Sequence, residues 1–322
     1  LAKRDFPIEV TAPDIAPYRA GNTGVDYVTT FDSGKPGPHA MVNGVTHGNE
    51  ICGAIALDHL LRHDIRPVRG KLTLAFVNHA AYRRFDPARP RDNRRIDQDI
   101  NRVWADEVLD GPGDTLELRR ARELRPIVET VDHLLDLHSL GTNCPALLLC
   151  TGQAKETELA RAIGFPAHIV LGQKRRSRKR MIDYTPFADP ATHRTGLLAE
   201  CGQHWARQTA VNALDTTLRF LRGLAVIDTA AFAEHVSSPA RAPQRLLRIT
   251  GSVELQSDDF TFTDEFHGLE HFPDAGTVIG RDGGADVVTP HDDCILVMPN
   301  ARATKGMRAI RFARVVTADQ AD

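Results

Sequence analysis

The sequence predicts an α/β fold, a layered and largely parallel or mixed sheet, followed by a small all-β region. Three observations predict it. Short apolar runs alternate with helical patterns through the first three-fifths of the chain, as in layered α/β architectures. The stretch 205–224 repeats apolar residues at spacings of three and four (Ala206, Ala210, Leu214, Leu218, Leu221), the stripe of an amphipathic helix. Beyond Ser237 the pattern changes to short β-like segments punctuated by Gly and Pro.

Taken in order, 39–45 reads as a buried strand and 51–63 as the helix that follows it. Residues 71–78 (KLTLAFVN) read as a strand, and 116–130 as a helix with Pro126 as its kink or boundary, because proline lacks the amide that an internal turn needs. Strands are expected at 134–137, 146–150, 169–171 and 196–199, with a helix over 156–163. The segment SSPARAP at 237–243 reads as a linker. Strands are then expected at 246–253, 260–262, 277–279, 295–298 and 309–316. The expected division is therefore 1–236 and 237–322.

Bulk properties exclude several classes. Hydrophobic residues make up 42% of the 322 positions and charged residues 25%, which opposes disorder. The net charge of -2 provides no global field for nucleic acid or an anionic membrane. No apolar run approaches the roughly 18 residues that a membrane span requires. Residues 1–7 hold charges but no apolar signal core, so a cytoplasmic protein is expected. The first residue is Leu rather than Met, as expected if the gene product starts upstream. The five cysteines (Cys52, Cys144, Cys150, Cys201, Cys294) are scattered without a CxxC pair, so a thiolate metal site is not expected and reduced thiols are.

The chemistry concentrates at three expected strand ends. His47-Gly48-Asn49-Glu50 follows the first apolar run and precedes a helix. His and Glu three residues apart in a strand-to-helix turn can reach one cation, and Gly48 permits close backbone approach. His138 ends the next such strand, and ligands collect at the carboxyl ends of strands in α/β sheets. Together His47, Glu50 and His138 would form a His2Glu set with a position left for water, as catalytic zinc requires. Asp136, two residues before His138, shares its strand face and is a candidate for orienting a ligand. His63, His79 and His133 are competing imidazoles without an equally clear strand end. Glu200 closes the strand-like TGLLAE and is a candidate general base. The polar stretch RRIDQDINR at 94–102 offers Arg94 to polarise a carbonyl, and Asn101 with Arg102 to hold a carboxylate.

These segments resemble the succinylglutamate desuccinylase/aspartoacylase family of the zinc carboxypeptidase superfamily. The matching pieces are GVTHGNE at 44–50, DQDINRVW at 97–104, DLHS at 136–139 and AECG at 199–202. Their order and spacing match as well, with 88 positions from Glu50 to His138 and 62 from His138 to Glu200. The resemblance covers about 36–225 and extends less specifically to PHDDCILVMP at 290–299. It implies a carboxypeptidase-like mixed-sheet domain with helices on both faces, and a β domain that partly covers the site. It implies one Zn2+ held by His47, Glu50 and His138, with Glu200 activating water and then protonating the leaving amine. Arg94 matches the residue that polarises the scissile carbonyl, and Asn101 and Arg102 match the pair that grips a substrate carboxylate. A small anionic N-acyl amino acid substrate and a homodimer are likewise implied, without nucleic-acid or membrane partners.

Two positions depart from the family pattern. A second substrate-binding arginine has three candidates here, Arg178, Arg180 and Arg194. The family's tyrosine in the C-terminal domain has no counterpart in NARATK at 300–305, which weighs against N-acetylaspartate itself. Three other readings compete. One is a metallocarboxypeptidase acting on peptides, and another a catalytically silent member that only binds. The third is an RNA-binding protein using KRRSRKR at 174–180, six basic residues in seven but without interleaved aromatics.

Overall fold

The computed structural model describes residues 6–172, 177–238 and 243–317. The strands are β1 (Val28–Asp32), β2 (His39–Gly44), β3 (Lys71–Phe76), β4 (His133–Leu140), β5 (Leu147–Cys150), β6 (His168–Leu171) and β7 (Thr195–Gln203). After them come β8 (Arg245–Glu254), β9 (Phe260–Phe262), β10 (His271–Phe272), β11 (Val278–Asp282), β12 (Ala285–Val288), β13 (Cys294–Val297) and β14 (Arg308–Val316). The sheet runs β1-β3-β2-β4-β7-β5-β6-β8-β14-β13-β10, and β12-β11-β9 form a second one. Its centre, β3-β2-β4-β7, is parallel, and β5 enters antiparallel to β7, so the sheet is mixed.

Strand alternation divides the core between two faces. On one side Ala40, Val42, Leu135, Leu137, Leu197 and Ala199 meet the helices Cys52–Arg62, Ala154–Ile163 and Arg207–Gly223. On the other, Met41, Leu134 and Leu198 meet the helix Leu116–Val128. The central strands are buried on both faces, which is why they read as continuous apolar runs. Trimming a fully buried leucine in such a core, such as Leu57, costs about 2–5 kcal/mol.

The structure adds to and adjusts the expected elements. β1 and the helix Thr229–His235 have too few apolar residues in register to stand out in the sequence. The helix over 116–128 passes through Pro126 rather than ending there, and the Glu129 amide closes the last turn on Arg125 O at 2.9 Å. Four of the C-terminal strands extend the large sheet, because β8 lies parallel to β6, with Ile169 opposite Leu246. Of the linker segment, 239–242 lie outside the described residues, as do 174–176 of the basic run.

Candidate functional site

The site forms where the parallel strands end. β2 stops at Gly44, and Val45 turns the chain with φ 53°, a strained value for a β-branched residue. His47 and Glu50 follow, and the helix Cys52–Arg62 begins. Gly48 is required by contact, since a Cβ there would lie 2.3 Å from Asn93 O and 2.5 Å from Ala81 C. Its amide donates to Arg94 O at 3.1 Å, so this glycine joins the His47 turn to the segment that carries Arg94. That segment is fixed from beneath by Glu117, whose buried carboxylate accepts from the amides of Ile96, Asp97 and Gln98 at 2.6, 3.0 and 3.1 Å.

β4 delivers His138 and the adjacent β7 delivers Glu200, and the two residues are paired in register. His47, Glu50 and His138 are all buried, and one donor atom from each lies within 4.8 Å of the others. Both imidazoles turn Nδ1 toward Glu50, His47 at 2.8 Å from Oε1 and His138 at 2.9 Å from Oε2. Both turn Nε2 toward another carboxylate, Asp99 Oδ1 at 2.9 Å and Asp136 Oδ2 at 2.8 Å. A carboxylate accepting from the far nitrogen leaves the near nitrogen's lone pair for a cation, the usual support of a metal-binding histidine. Thr46 Oγ1 in turn donates to Asp136 Oδ1 at 2.7 Å.

The charge distribution follows from this packing. Burial opposes the Glu50 charge, yet His47 and His138 hold its carboxyl well below the usual range. Burial also opposes a charged His138, but Asp136 and Glu50 outweigh it and raise the imidazole well above its ordinary value. A proton on His138 thus stands where a cation would compensate the same two carboxylates. Arg94 lies against the cluster, with Nη1 donating to Glu50 Oε1 at 2.7 Å and Nη2 2.9 Å from His47 Nε2. His47 Nε2 cannot both accept from Arg94 and donate to Asp99, and the tautomer that donates to Asp99 is the one that frees Nδ1.

Glu200 differs from the other acids. Its carboxyl is buried, and Oε2 has no hydrogen-bond partner among the described residues. Burial, with Glu50 nearby, pushes it up to about 7, against the opposing pull of His138, Arg94 and Arg311. A buried carboxyl with that value and an unpartnered oxygen is suited to exchanging protons near neutral pH.

The remaining expected residues fall as follows. Asn101 is buried, its Oδ1 accepting from the Met181 amide at 2.9 Å and its Nδ2 3.3 Å from His138 Nε2. Arg102 is half-buried, with Nη1 donating to Asn101 O at 2.6 Å and 3.9 Å from Asp99 Oδ2. Arg178 and Arg180 both lie close enough to lower the Arg102 value alongside burial, while Arg194 donates to Glu129 O at the opposite end of β7. The site therefore brings Arg178 and Arg180 near Arg102 and leaves Arg194 out. Sequence reasoning missed four residues. They are Asp99, which orients His47, Glu117, which fixes the 96–98 segment, His204 and Arg311. His204 Nδ1 lies 2.8 Å from Ser139 Oγ, and burial lowers that imidazole to about 3. Arg311 comes from β14, so its place near Glu200 depends on a strand pairing that no local motif reveals.

Residues 36–224 match the family model described as the succinylglutamate desuccinylase/aspartoacylase catalytic domain. The chain belongs to this family. Among curated proteins, it is 32% identical over 152 residues to an N-acyl-aromatic-L-amino acid amidohydrolase (carboxylate-forming) of Xenopus laevis, a match covering 42% of this chain and 48% of the other. It is 32% identical over 141 residues to a probable aspartoacylase of Parasynechococcus marenigrum (strain WH8102), covering 40% and 44%. The chain thus spans about half the length of the curated relatives it matches. The fold is shared with succinylglutamate desuccinylase from Vibrio cholerae, at a TM-score of 0.65 and 18% identity, over 91% of this chain and 86% of that one. It is also shared with murine aminoacylase 3, at a TM-score of 0.61 and 20% identity, over 88% and 96%. In this family member, no helix among the described residues is long and apolar enough to cross a membrane.

Proposed function

We propose that this family member is a zinc-dependent hydrolase that cleaves the amide bond of a small N-acyl amino acid. The observation that carries the reading is the buried convergence of His47, Glu50 and His138 beside the unpartnered Glu200 Oε2. Two imidazoles and a carboxylate fit zinc, as three protein ligands leave a coordination position for the reaction. The proton that Asp136 and Glu50 favour on His138 marks a place where positive charge is stabilised. When bound by these three residues, zinc supplies a Lewis acid that acidifies water and draws charge from a carbonyl oxygen.

The chain's own groups account for the proton movements. Glu200 Oε2 accepts a proton from water as the water oxygen bonds to the amide carbon. The same carboxyl then donates that proton to the departing nitrogen as the C–N bond breaks, giving a carboxylic acid and an amine, and the acid's remaining proton passes to the amine to leave a carboxylate and an ammonium. A carboxyl pushed up to about 7 by burial serves both directions near neutrality. Arg94, already directed at the cluster, stabilises negative charge developing on the carbonyl oxygen. Arg102 offers a charged fork to the substrate carboxylate, and Arg178 adds positive potential near it, while Arg180 is ion-paired with buried Asp183 at 2.7 Å. The names of the matched relatives, an N-acyl amino acid amidohydrolase and an aspartoacylase, support a compact acyl amino acid over a peptide.

The test is amine release from N-acetyl and N-succinyl amino acids by zinc-loaded protein and its Glu200→Gln variant. Turnover of at least one substrate is expected, falling by about a hundredfold or more in the variant, the range for loss of a general acid–base. Release of C-terminal residues from peptides, with no turnover of acyl amino acids, would replace this reading with a carboxypeptidase.

A further inference from the structure

A second cluster of donor atoms lies at the other end of the helix that starts beside Glu50. His59 and His63 stand four residues apart in its last turn and C-cap, a spacing that places two imidazoles on one helix face. His235, the last residue of the helix Thr229–His235, meets them from a segment 176 positions from His59. Each residue offers a ring nitrogen within 4.8 Å of the other two. His59 Nε2 and His235 Nδ1 are 3.3 Å apart, close to the roughly 3.4 Å between two nitrogens bound to one tetrahedral zinc at about 2.1 Å. The ring centroids are separated by 4.2, 5.0 and 4.9 Å.

We infer that His59, His63 and His235 form a second binding site for a zinc-class divalent metal ion, separate from the catalytic cluster. The donor chemistry suits such an ion, because neutral imidazole is a ligand for Zn, Ni and Cu but a poor one for Mg or Ca. Asp58 on the same helix is ion-paired with Arg62 at 2.9 Å, and exposed Glu234 lies 4.0 Å from His235 Nε2. His63 is exposed and its partners are half-buried, so an ion reaches them from solvent. His59 follows Glu50 by nine positions along this stretch, a rise of about 13 Å at helical spacing, too far for both sites to share an ion. The bound ion would fasten the helix Thr229–His235 to the helix Cys52–Arg62 and stabilise the folded chain by mass action.

The experiment uses the full chain, stripped with a chelator and then titrated with Zn2+ by calorimetry, with thermal unfolding followed in parallel. His63→Ala and His235→Ala are each expected to bind one equivalent fewer than the unsubstituted protein and to lose part of the zinc-induced rise in Tm. Deacylase turnover with one equivalent bound is expected to be unchanged in His63→Ala, whose side chain is exposed. A zinc count unaltered by both substitutions would overturn the inference. If the unsubstituted chain binds a single equivalent that His63→Ala removes, the second site stands and the catalytic metal assignment fails.

Discussion

The two ends of the helix Cys52–Arg62 carry histidine clusters of opposite character. At its start, His47 and His138 are buried among Glu50, Asp99 and Asp136. At its end, His59, His63 and His235 face mainly one another. The same side chain therefore holds a proton strongly in one place and weakly in the other. His138 is raised well above its ordinary value by Asp136 and Glu50 despite burial, and His59 falls to about 4 through burial and two neighbouring imidazoles. Carboxylates around an imidazole favour a positive charge there, whether it arrives as a proton or a metal ion. Imidazoles around an imidazole disfavour the proton but not the metal.

The comparison is broken most severely by removing the cation beside the carboxylates. Arg94→Ala is expected to lower kcat by about a hundredfold or more, as for loss of an oxyanion donor, with no effect on the zinc held at His59. Steady-state kinetics and a zinc count on the same sample test this, and a near-native kcat would remove Arg94 from the chemistry. A smaller effect is expected from Asp136→Asn, which keeps the shape but removes the charge that supports His138. Zinc affinity at the catalytic cluster should fall about 10–100-fold, the usual cost of losing such support, measured by competition with a chromophoric chelator.

The smallest effect is the most diagnostic, because the two ends should respond to pH with opposite signs in metal-free protein. His59 has a folded value below its unfolded one of about 6.5, so its contribution is present above pH 6.5 and lost as pH falls toward 4. His138 has a raised folded value, so its contribution is complete below about pH 6.5 and lost as pH rises through the folded value. Urea midpoints across this range should show His59→Gln flattening the acid side and Asp136→Asn the alkaline side. Parallel profiles for the two variants would show that the clusters do not differ in this way.

What the sequence made legible divides along similar lines. The central strands were readable because burial on both faces leaves uninterrupted apolar runs, and His47, Glu50, His138 and Glu200 stand at the ends of those runs. Asp136 was readable because two residues on a strand share a face. Asp99 sits inside a recognisable motif, yet its role depends on the loop folding back to His47, which Glu117 enforces from a different helix. Arg311 reaches the site only through the pairing of β14 with β8 and of β8 with β6. His63 drew attention as a rival ligand for the catalytic cluster, but its partners are His59 on the same helix and His235 far along the chain. Spacing along a sequence reveals pairs within one element and hides those made by docking two.

The parallel pairing of β8 with β6 also bears on how this chain avoids sticking to itself. Four register pairs, from His168↔Arg245 to Leu171↔Arg248, cover the amides and carbonyls of a strand whose residues Ile169, Val170 and Leu171 are buried. Without β8, that strand would be an open apolar edge, a ready template for joining another chain's sheet. The C-terminal strands thus cover an apolar border of the sheet, and exposure of that border is the hazard to watch whenever the chain is shortened after 236.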